Sequence, residues 1–293
     1  MTAADPHGFP GGRWTGQLVR QALAEDIGSG DRSTAVTAAP GLTVTARVTA
    51  RAPGVLAGLP LLDLVCRELD PALTVEHLGA DGDPVAAGDV VAVIRGAAAP
   101  VLTGERTALN FLQHLGGIAT LTARYVARVA GTSCRVLDTR KTLPGYRALA
   151  KYAVRCGGGH NHRLGLYDRI MLKDNHWAAA GGDIARLVAR ARAEHPGIPV
   201  QIEVDDPGQF ARALALAPEW ILLDNFLPGA TAAAVAQRDA AGVATLLEAS
   251  GNVTLETIGD YARAGVDAAS VGRLTHSAPA LDLGLDLDLE LGR

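Results

Sequence analysis

The chain has 293 residues, of which 48% are hydrophobic and 4% aromatic, with 34 glycines and a formal net charge of −4. That length suffices for one large or two ordinary domains with packed cores, and the composition excludes a disordered or fibrous protein. The mildly acidic balance gives no support to a nucleic-acid partner, and no run approaches the ~18 apolar residues of a membrane span.

The opening segment MTAADPHGFPGGRW lacks the apolar stretch of a signal peptide. From Thr15 to Asp26 the residues Leu18, Val19, Ala22 and Leu23 recur at helical spacing, and Gly28, Ser29 and Gly30 end the pattern. Leu42 to Ala50 alternates with period two, as a half-buried strand does. Gly58 to Leu69 reads as a helix, and Leu73 to Leu78 and Val90 to Ile94 as strands, with DGDP and AAGD as turns between them. This first third is a small α+β domain. A long helix follows from Gly104 to Val129, with an interruption predicted at Gly116 and Gly117.

Beyond it the grammar changes. Six apolar runs, CRVLDTRK, DRIMLKDN, PVQIEVDD, WILLDNF, ATLLEASGN and DAASVGR, each end in polar residues and alternate with helical segments. Short apolar strands followed by helices of ~10–15 residues imply parallel βαβ units. Six strands in so short a span fall short of a closed eightfold barrel, which takes ~250 residues. An open or incomplete barrel is therefore expected. The tail LDLGLDLDLELGR alternates leucine with acid, and as a strand it fits back onto the N-terminal sheet.

Three cysteines, Cys66, Cys134 and Cys156, are odd in number and far apart. They argue against a disulfide framework or zinc motif and for a reducing cytoplasm.

In β/α barrels the chemistry stands at the C-terminal ends of strands. Here those ends supply Thr139, Arg140 and Lys141; Lys173, Asp174 and Asn175; Glu203 and Asp205; Asp224 and Asn225; Glu248, Ser250, Gly251 and Asn252; and Gly272 and Arg273. Glu203, Asp224 and Glu248 sit in or directly after apolar runs, where a carboxylate needs a cation, hydroxyl or metal partner. The stretch from Asp138 to His176 holds all three lysines of the chain, Lys141, Lys151 and Lys173, together with Arg140, Arg147, Arg155, Arg163 and Arg169. So much positive charge in one place is self-repulsive, and a small polyanion would relieve it. The glycine-containing ends SGN and VGR of the last two strands suit a phosphate held by backbone N–H groups. Gly157, Gly158 and Gly159 lack the following lysine and hydroxyl of a P-loop. His160, His176 and Cys156 read as structural residues.

The ordered motifs ERTALNFLQHLGGIAT, DTRKTLPGYRALAKYAVRCGGGHNHRLGLYDRIMLKDNH, IEVDD, LLDNF, LEASGN and SVGRLTHSAPALDLGLDL closely resemble those of the carboxylating nicotinate-nucleotide pyrophosphorylases, or quinolinate phosphoribosyltransferases. The resemblance runs from about Ala24 to Leu287. It implies a type II phosphoribosyltransferase fold, an α/β-sandwich domain over residues 1–117 with the tail 276–293, and an open six-to-seven-stranded α/β barrel over 118–275. It also implies a cytoplasmic, Mg²⁺-dependent enzyme with quinolinate and phosphoribosyl pyrophosphate as substrates. The assembly implied is a homodimer, or an assembly of dimers, with shared active sites.

Position by position, the resemblance makes Arg106 the arginine that reaches quinolinate from the partner chain. Thr139, Arg140, His162, Arg163 and Lys173 become the pocket for the two quinolinate carboxylates, and Lys141 a basic contact to the phosphoribosyl donor. Glu203 and Asp224 become the carboxylates near the ribose and Mg²⁺, bound directly or through water. Ser250, Gly251, Asn252, Val271 and Gly272 become the 5′-phosphate loops, while Arg273 stays outside the core site. Three alternatives stand beside this reading: a paralogue of the molybdenum-transport-associated type with another acceptor, a Schiff-base lyase using Lys173, and a non-catalytic phosphate-binding module.

Overall fold

A computed structural model describes residues 6–289, and its contacts divide the chain into two compact units. Of the described residues, the first comprises 6–123, 148–158 and 277–289, and the second 124–147 and 159–276.

In the first unit, α1 (Arg13–Ile27) and α2 (Arg32–Thr37) precede β1 (Thr43–Ala50), β2 (Gly54–Val55), α3 (Leu59–Leu69), β3 (Thr74–His77), β4 (Pro84–Val85) and β5 (Val90–Ala97). The short α2 was not foreseen; Asp31 caps it by accepting from the Thr34 N–H at 2.9 Å. β1 buries Val44, Ala46, Val48 and Ala50 on one face, as its alternation predicts. An antiparallel sheet forms in the order β12-β1-β5-β3, where β12 (Leu283–Leu289) is the alternating tail, paired with β1 from Val44 opposite Leu289 to Ala50 opposite Leu283. β2 and β4 make a separate two-stranded ribbon.

The long helix α4 (Ala98–Arg128) begins earlier than predicted and runs unbroken through Gly116 and Gly117. These glycines serve close packing rather than a kink. A methyl at Gly117 would collide with the Pro279 carbonyl, and one at Gly116 would lie 2.9 Å from a Leu281 methyl.

The second unit follows the predicted βα order: β6 (Arg135–Leu137), then, after α5 (Arg147–Cys156), β7 (Ile170–Leu172), α6 (Asp174–Ala179), α7 (Ile184–Glu194), β8 (Val200–Val204), α8 (Pro207–Leu214), β9 (Trp220–Asp224), α9 (Pro228–Ala241), β10 (Leu246–Ser250), α10 (Ile258–Arg263), β11 (Ala268–Ser270) and α11 (Arg273–His276). Its six strands are parallel, in the order β6-β11-β10-β9-β8-β7. The two edge strands, β6 and β7, are not paired, so the barrel is open, and His160 adds a single parallel bridge beside Leu137 at the β6 edge.

Because successive strand residues point to opposite faces, Ile202, Val204, Ile221, Leu223, Leu247 and Ala249 share one buried apolar side. Gln201, Glu203, Leu222, Asp224, Glu248 and Ser250 share the other. The register places Glu203 opposite Leu222 and Leu222 opposite Glu248, with Asp224 opposite Ser250 in the next layer. One layer below, Trp220 packs with Leu137, Ala268 and Leu246 to floor the interior. Among the described residues no helix is long and apolar enough to cross a membrane.

Candidate active site

The interior-facing residues at the strand ends surround a cavity of about 380 Å³. Thr139, Arg140, Lys141, His162, Arg163, Lys173, Glu203, Asp224, Glu248 and Ser250, all anticipated from sequence, line it, joined by Met171, Leu222 and Ser270. The remaining predicted residues lie elsewhere. Gly251 and Asn252 directly follow β10, and Val271 and Gly272 directly follow β11. Gly272 is nonetheless close to a cavity residue, since a methyl there would meet Lys141 Cδ at 3.1 Å. Arg106 belongs to the first unit, on α4, with a side chain 58% exposed and Glu105 as an ionic neighbour at 3.8 Å.

The basic stretch separates into two roles. Arg140, Lys141, Arg163 and Lys173 face the cavity, whereas Lys151, in the same stretch but not among the predicted site residues, is buried on α5 in the first unit. Arg155 donates to the His7 and Gly8 carbonyls, and Arg147 to Thr142 and the Leu164 carbonyl. His176 accepts from the Lys173 N–H at the start of α6, a structural part as read from sequence.

Crowding of cations marks the cavity electrically. Burial, and next the like charge of Arg140, pull Arg163 below the ordinary guanidinium value. The buried Nε of Arg140 has no hydrogen-bond partner among the described residues. Both features suit an incoming anion that would bring counter-charge and acceptors.

Opposite these cations, Lys173 Nζ meets Glu203 at 2.6 Å. At the same end of the sheet, burial and the neighbouring carboxylates Asp224, Asp174 and Asp206 push Asp205 above the ordinary carboxyl range. Among the described residues no group of three or more histidines, cysteines and acids converges to hold a metal.

The end of β10 is built for backbone access. Gly251 has φ +85°, and a methyl there would collide with the Asn225 side chain. Asn225 and Asn252 are themselves left-handed, with φ +57° and +52°, a conformation asparagine tolerates better than most residues. The Asn225 N–H donates to the Ser250 carbonyl at 2.9 Å and its side-chain amide to Asp224 at 2.9 Å, tying the end of β10 to the carboxylate that ends β9.

Several residues of the site were not singled out from sequence. Asp138, fully buried, accepts from the His162 N–H at 2.8 Å and from the Asn161 amide at 2.6 Å, holding the turn that carries Arg163. Arg169 stacks 4.9 Å from the Trp220 ring and donates to Gln201 at 3.2 Å. Glu248, by contrast, was read from sequence as an acid in an apolar run that needs partners, but those partners, His162, Arg169, Gln201 and Ser270, come from three distant segments.

The family models for the N-terminal and C-terminal domains of quinolinate phosphoribosyl transferase match residues 31–116 and 118–286. The chain is 46% identical, over 92% of its own length and 95% of the relative's, to the nicotinate-nucleotide pyrophosphorylase (carboxylating) of Mycobacterium leprae (strain TN). It is 42% identical to a probable enzyme of the same name from Synechocystis, across 92% of this chain and 91% of that one. The solved nicotinate-nucleotide pyrophosphorylase of Francisella tularensis superposes with a TM-score of 0.89 at 38% identity, over 94% of this chain and 96% of that one. By sequence and by fold alike, the chain belongs to the quinolinate phosphoribosyl transferase family.

Proposed function

We propose that this chain transfers the phosphoribosyl group of phosphoribosyl pyrophosphate to quinolinate, with decarboxylation, releasing pyrophosphate and nicotinate mononucleotide in de novo NAD synthesis. The observation that carries the reading is the convergence of Arg140, Lys141, Arg163 and Lys173 on one cavity that also holds Glu203 and Asp224. Two polyanionic substrates repel one another in water, and cations fixed in advance lower that barrier.

In this reading the arginines take the planar carboxylates of quinolinate bidentately, and Lys173 takes a single oxygen as a point charge. Met171 and Leu222 supply apolar surface for the ring. Lys141 and the backbone of the loops at Ser250, Gly251 and Asn252 and at Val271 and Gly272 hold the phosphates. As the ring nitrogen attacks the anomeric carbon and pyrophosphate leaves, positive charge grows on the ribose, and Glu203 is placed to stabilise it. The ribosylated nitrogen then carries a positive charge that stabilises the carbanion left by loss of carbon dioxide, which takes up a proton.

Mg²⁺ belongs to the proposal. The hard oxygen donors Glu203 and Asp224 would hold a magnesium ion, with Asp205 nearby raised by burial and then by the neighbouring carboxylates. Bound there, it would neutralise charge on the leaving group. The partner chain's contribution is also proposed: the exposed Arg106, and the exposed apolar side chains of Leu143, Leu164, Leu166 and Tyr167 on the loops following Lys141 and Arg163, support a homodimer with shared sites. Buried cysteine thiols, with Cys66 and Cys134 pushed up to about 12 by burial, support a reducing, cytoplasmic setting.

Incubation with labelled phosphoribosyl pyrophosphate and either quinolinate or nicotinate tests the reading. Labelled nicotinate mononucleotide and stoichiometric carbon dioxide from quinolinate alone are expected; turnover of another acceptor in its place would reject it. The Schiff-base alternative is disfavoured because Lys173 is engaged by Glu203.

A further inference from the structure

Glu248 is a fully buried carboxylate for which the proposed chemistry has no use. It lies in the middle of β10, where an apolar residue would pack with less desolvation. Gln201 Nε2 donates to its Oε2 at 2.8 Å, and the Ser270 hydroxyl donates to its Oε1. His162 Nε2 lies 3.3 Å from Oε2, and an Arg169 guanidinium nitrogen 4.0 Å away. Burial alone would raise this carboxyl, but the hydrogen bonds from His162, Ser270 and Gln201 together hold it below the ordinary range.

The other nitrogen of the same imidazole is also committed. The Arg163 backbone N–H donates to His162 Nδ1 at 2.7 Å, so Nδ1 carries a lone pair and not a proton. A neutral ring then has its proton on Nε2, which is the nitrogen facing Glu248. Arg169 Nη1, 3.4 Å from that nitrogen, has Gln201 Oε1 at 3.2 Å to receive its hydrogen instead. At the far end, the Arg163 guanidinium is held by the Arg169 carbonyl at 3.2 Å and by the Met171 sulfur at 3.6 Å, and it lines the cavity.

We propose that Glu248 is a positioning residue: it fixes His162 in the Nε2-protonated tautomer, so that Nδ1 stays an acceptor for the Arg163 amide and the Arg163 guanidinium is set for a substrate carboxylate. His162 on this view orients the pocket and does not donate a proton to the ligand. The proposal rests on the assignment of quinolinate to the cavity only for its kinetic readout.

The experiment pairs long-range proton–nitrogen spectra of the full-length protein, labelled at histidine, with steady-state kinetics on Glu248→Gln and Glu248→Met. In the unsubstituted protein the His162 signals should show a bare Nδ1 and a protonated Nε2. In Glu248→Gln the amide oxygen can replace Oε2 for Gln201 and His162 while the amide nitrogen faces Ser270, so the tautomer and the quinolinate KM should be kept within about threefold. Glu248→Met has similar bulk but no acceptor; its quinolinate KM should rise about tenfold or more, with the KM for phosphoribosyl pyrophosphate within about twofold. A proton on His162 Nδ1 in the unsubstituted protein, or an unchanged quinolinate KM in a folded Glu248→Met, would overturn the proposal. Should Glu248→Met fail to fold, the spectra of the other two proteins decide. If the unsubstituted protein does not turn over quinolinate, the assigned reaction fails while the tautomer still stands or falls on the spectra.

Discussion

Lys173 Nζ and Glu203 Oε2, at the ends of the neighbouring strands β7 and β8, lie 2.6 Å apart inside the cavity. Each is the other's counter-ion, so in the proposed reaction an anionic ligand taking Lys173 would release Glu203 toward the sugar.

This coupling gives the first prediction. Lys173→Met should lower kcat/KM for quinolinate about 10- to 100-fold, the scale of one charge-assisted hydrogen bond. Combined with Glu203→Gln, the loss should be smaller than the product of the single losses, because the partners are already uncoupled. Strict multiplicativity in a double-mutant cycle would show that the pair acts as two independent groups.

Arg140→Ala and Arg163→Ala should each raise the quinolinate KM about 100-fold, the upper range for a hydrogen bond between ions, with far-ultraviolet circular dichroism unchanged. Lysine at either position should recover little, since a point charge cannot reproduce a bidentate fork. Unaltered kinetics in either alanine variant would remove that arginine from the pocket.

Gly251→Ala should act on the other substrate. The positive φ and the overlap of a methyl with the Asn225 side chain force the loop after β10 to move. The KM for phosphoribosyl pyrophosphate should rise about tenfold or more, while equilibrium binding of quinolinate, measured alone, stays within about twofold. Equal effects on both would mean that the loop supports the whole cavity.

Acid should reveal Glu248. Its carboxyl lies below the ordinary value in the folded protein, so its contribution to stability is complete above the unfolded value of about 4.3 and is lost as pH falls through the lower native value. Melting temperatures measured from pH 6 down to 3 should therefore drop more steeply for the natural chain than for Glu248→Gln, with the difference confined to the acid end. Parallel curves would contradict the depressed carboxyl.

Metal dependence is the last prediction. A chelator should abolish turnover and added Mg²⁺ restore it, and Asp224→Asn should raise the Mg²⁺ concentration for half-maximal rate several-fold, about 1 kcal/mol of weakened coordination. A chelator-insensitive rate would remove magnesium from the scheme.

The barrel strands were legible because each is a short apolar run with a polar end, and the alternation of the tail placed β12 on the first sheet. Local pattern misled at Gly116 and Gly117, which look like helix breakers but accommodate the chain at Pro279 and Leu281, far off in sequence. Most cavity residues were legible as strand ends, whereas His162 and Arg163, on the loop before β7, were reached only through the family motif. Lys151 was not separable from Lys141 and Lys173 by composition, since its burial depends on where α5 packs. Glu248 could be seen as an acid among leucines. Its role could not, because Gln201, His162, Arg169 and Ser270 meet it only after four chain crossovers are made.

The unpaired edges β6 and β7 bear on redesign. Residues 138–147 and 159–169 depart from one edge and arrive at the other, carrying Arg140, His162 and Arg163, while β8 to β11 form an uninterrupted ladder with Glu203, Asp224 and Ser250. In the proposed reaction most acceptor contacts would therefore sit on the seam and the ribose carboxylates on the ladder, with Lys141 as the seam residue that would reach the donor phosphates. A library confined to the seam, with Lys141 kept, should explore new aromatic acids without loosening the grip on the ribosyl donor.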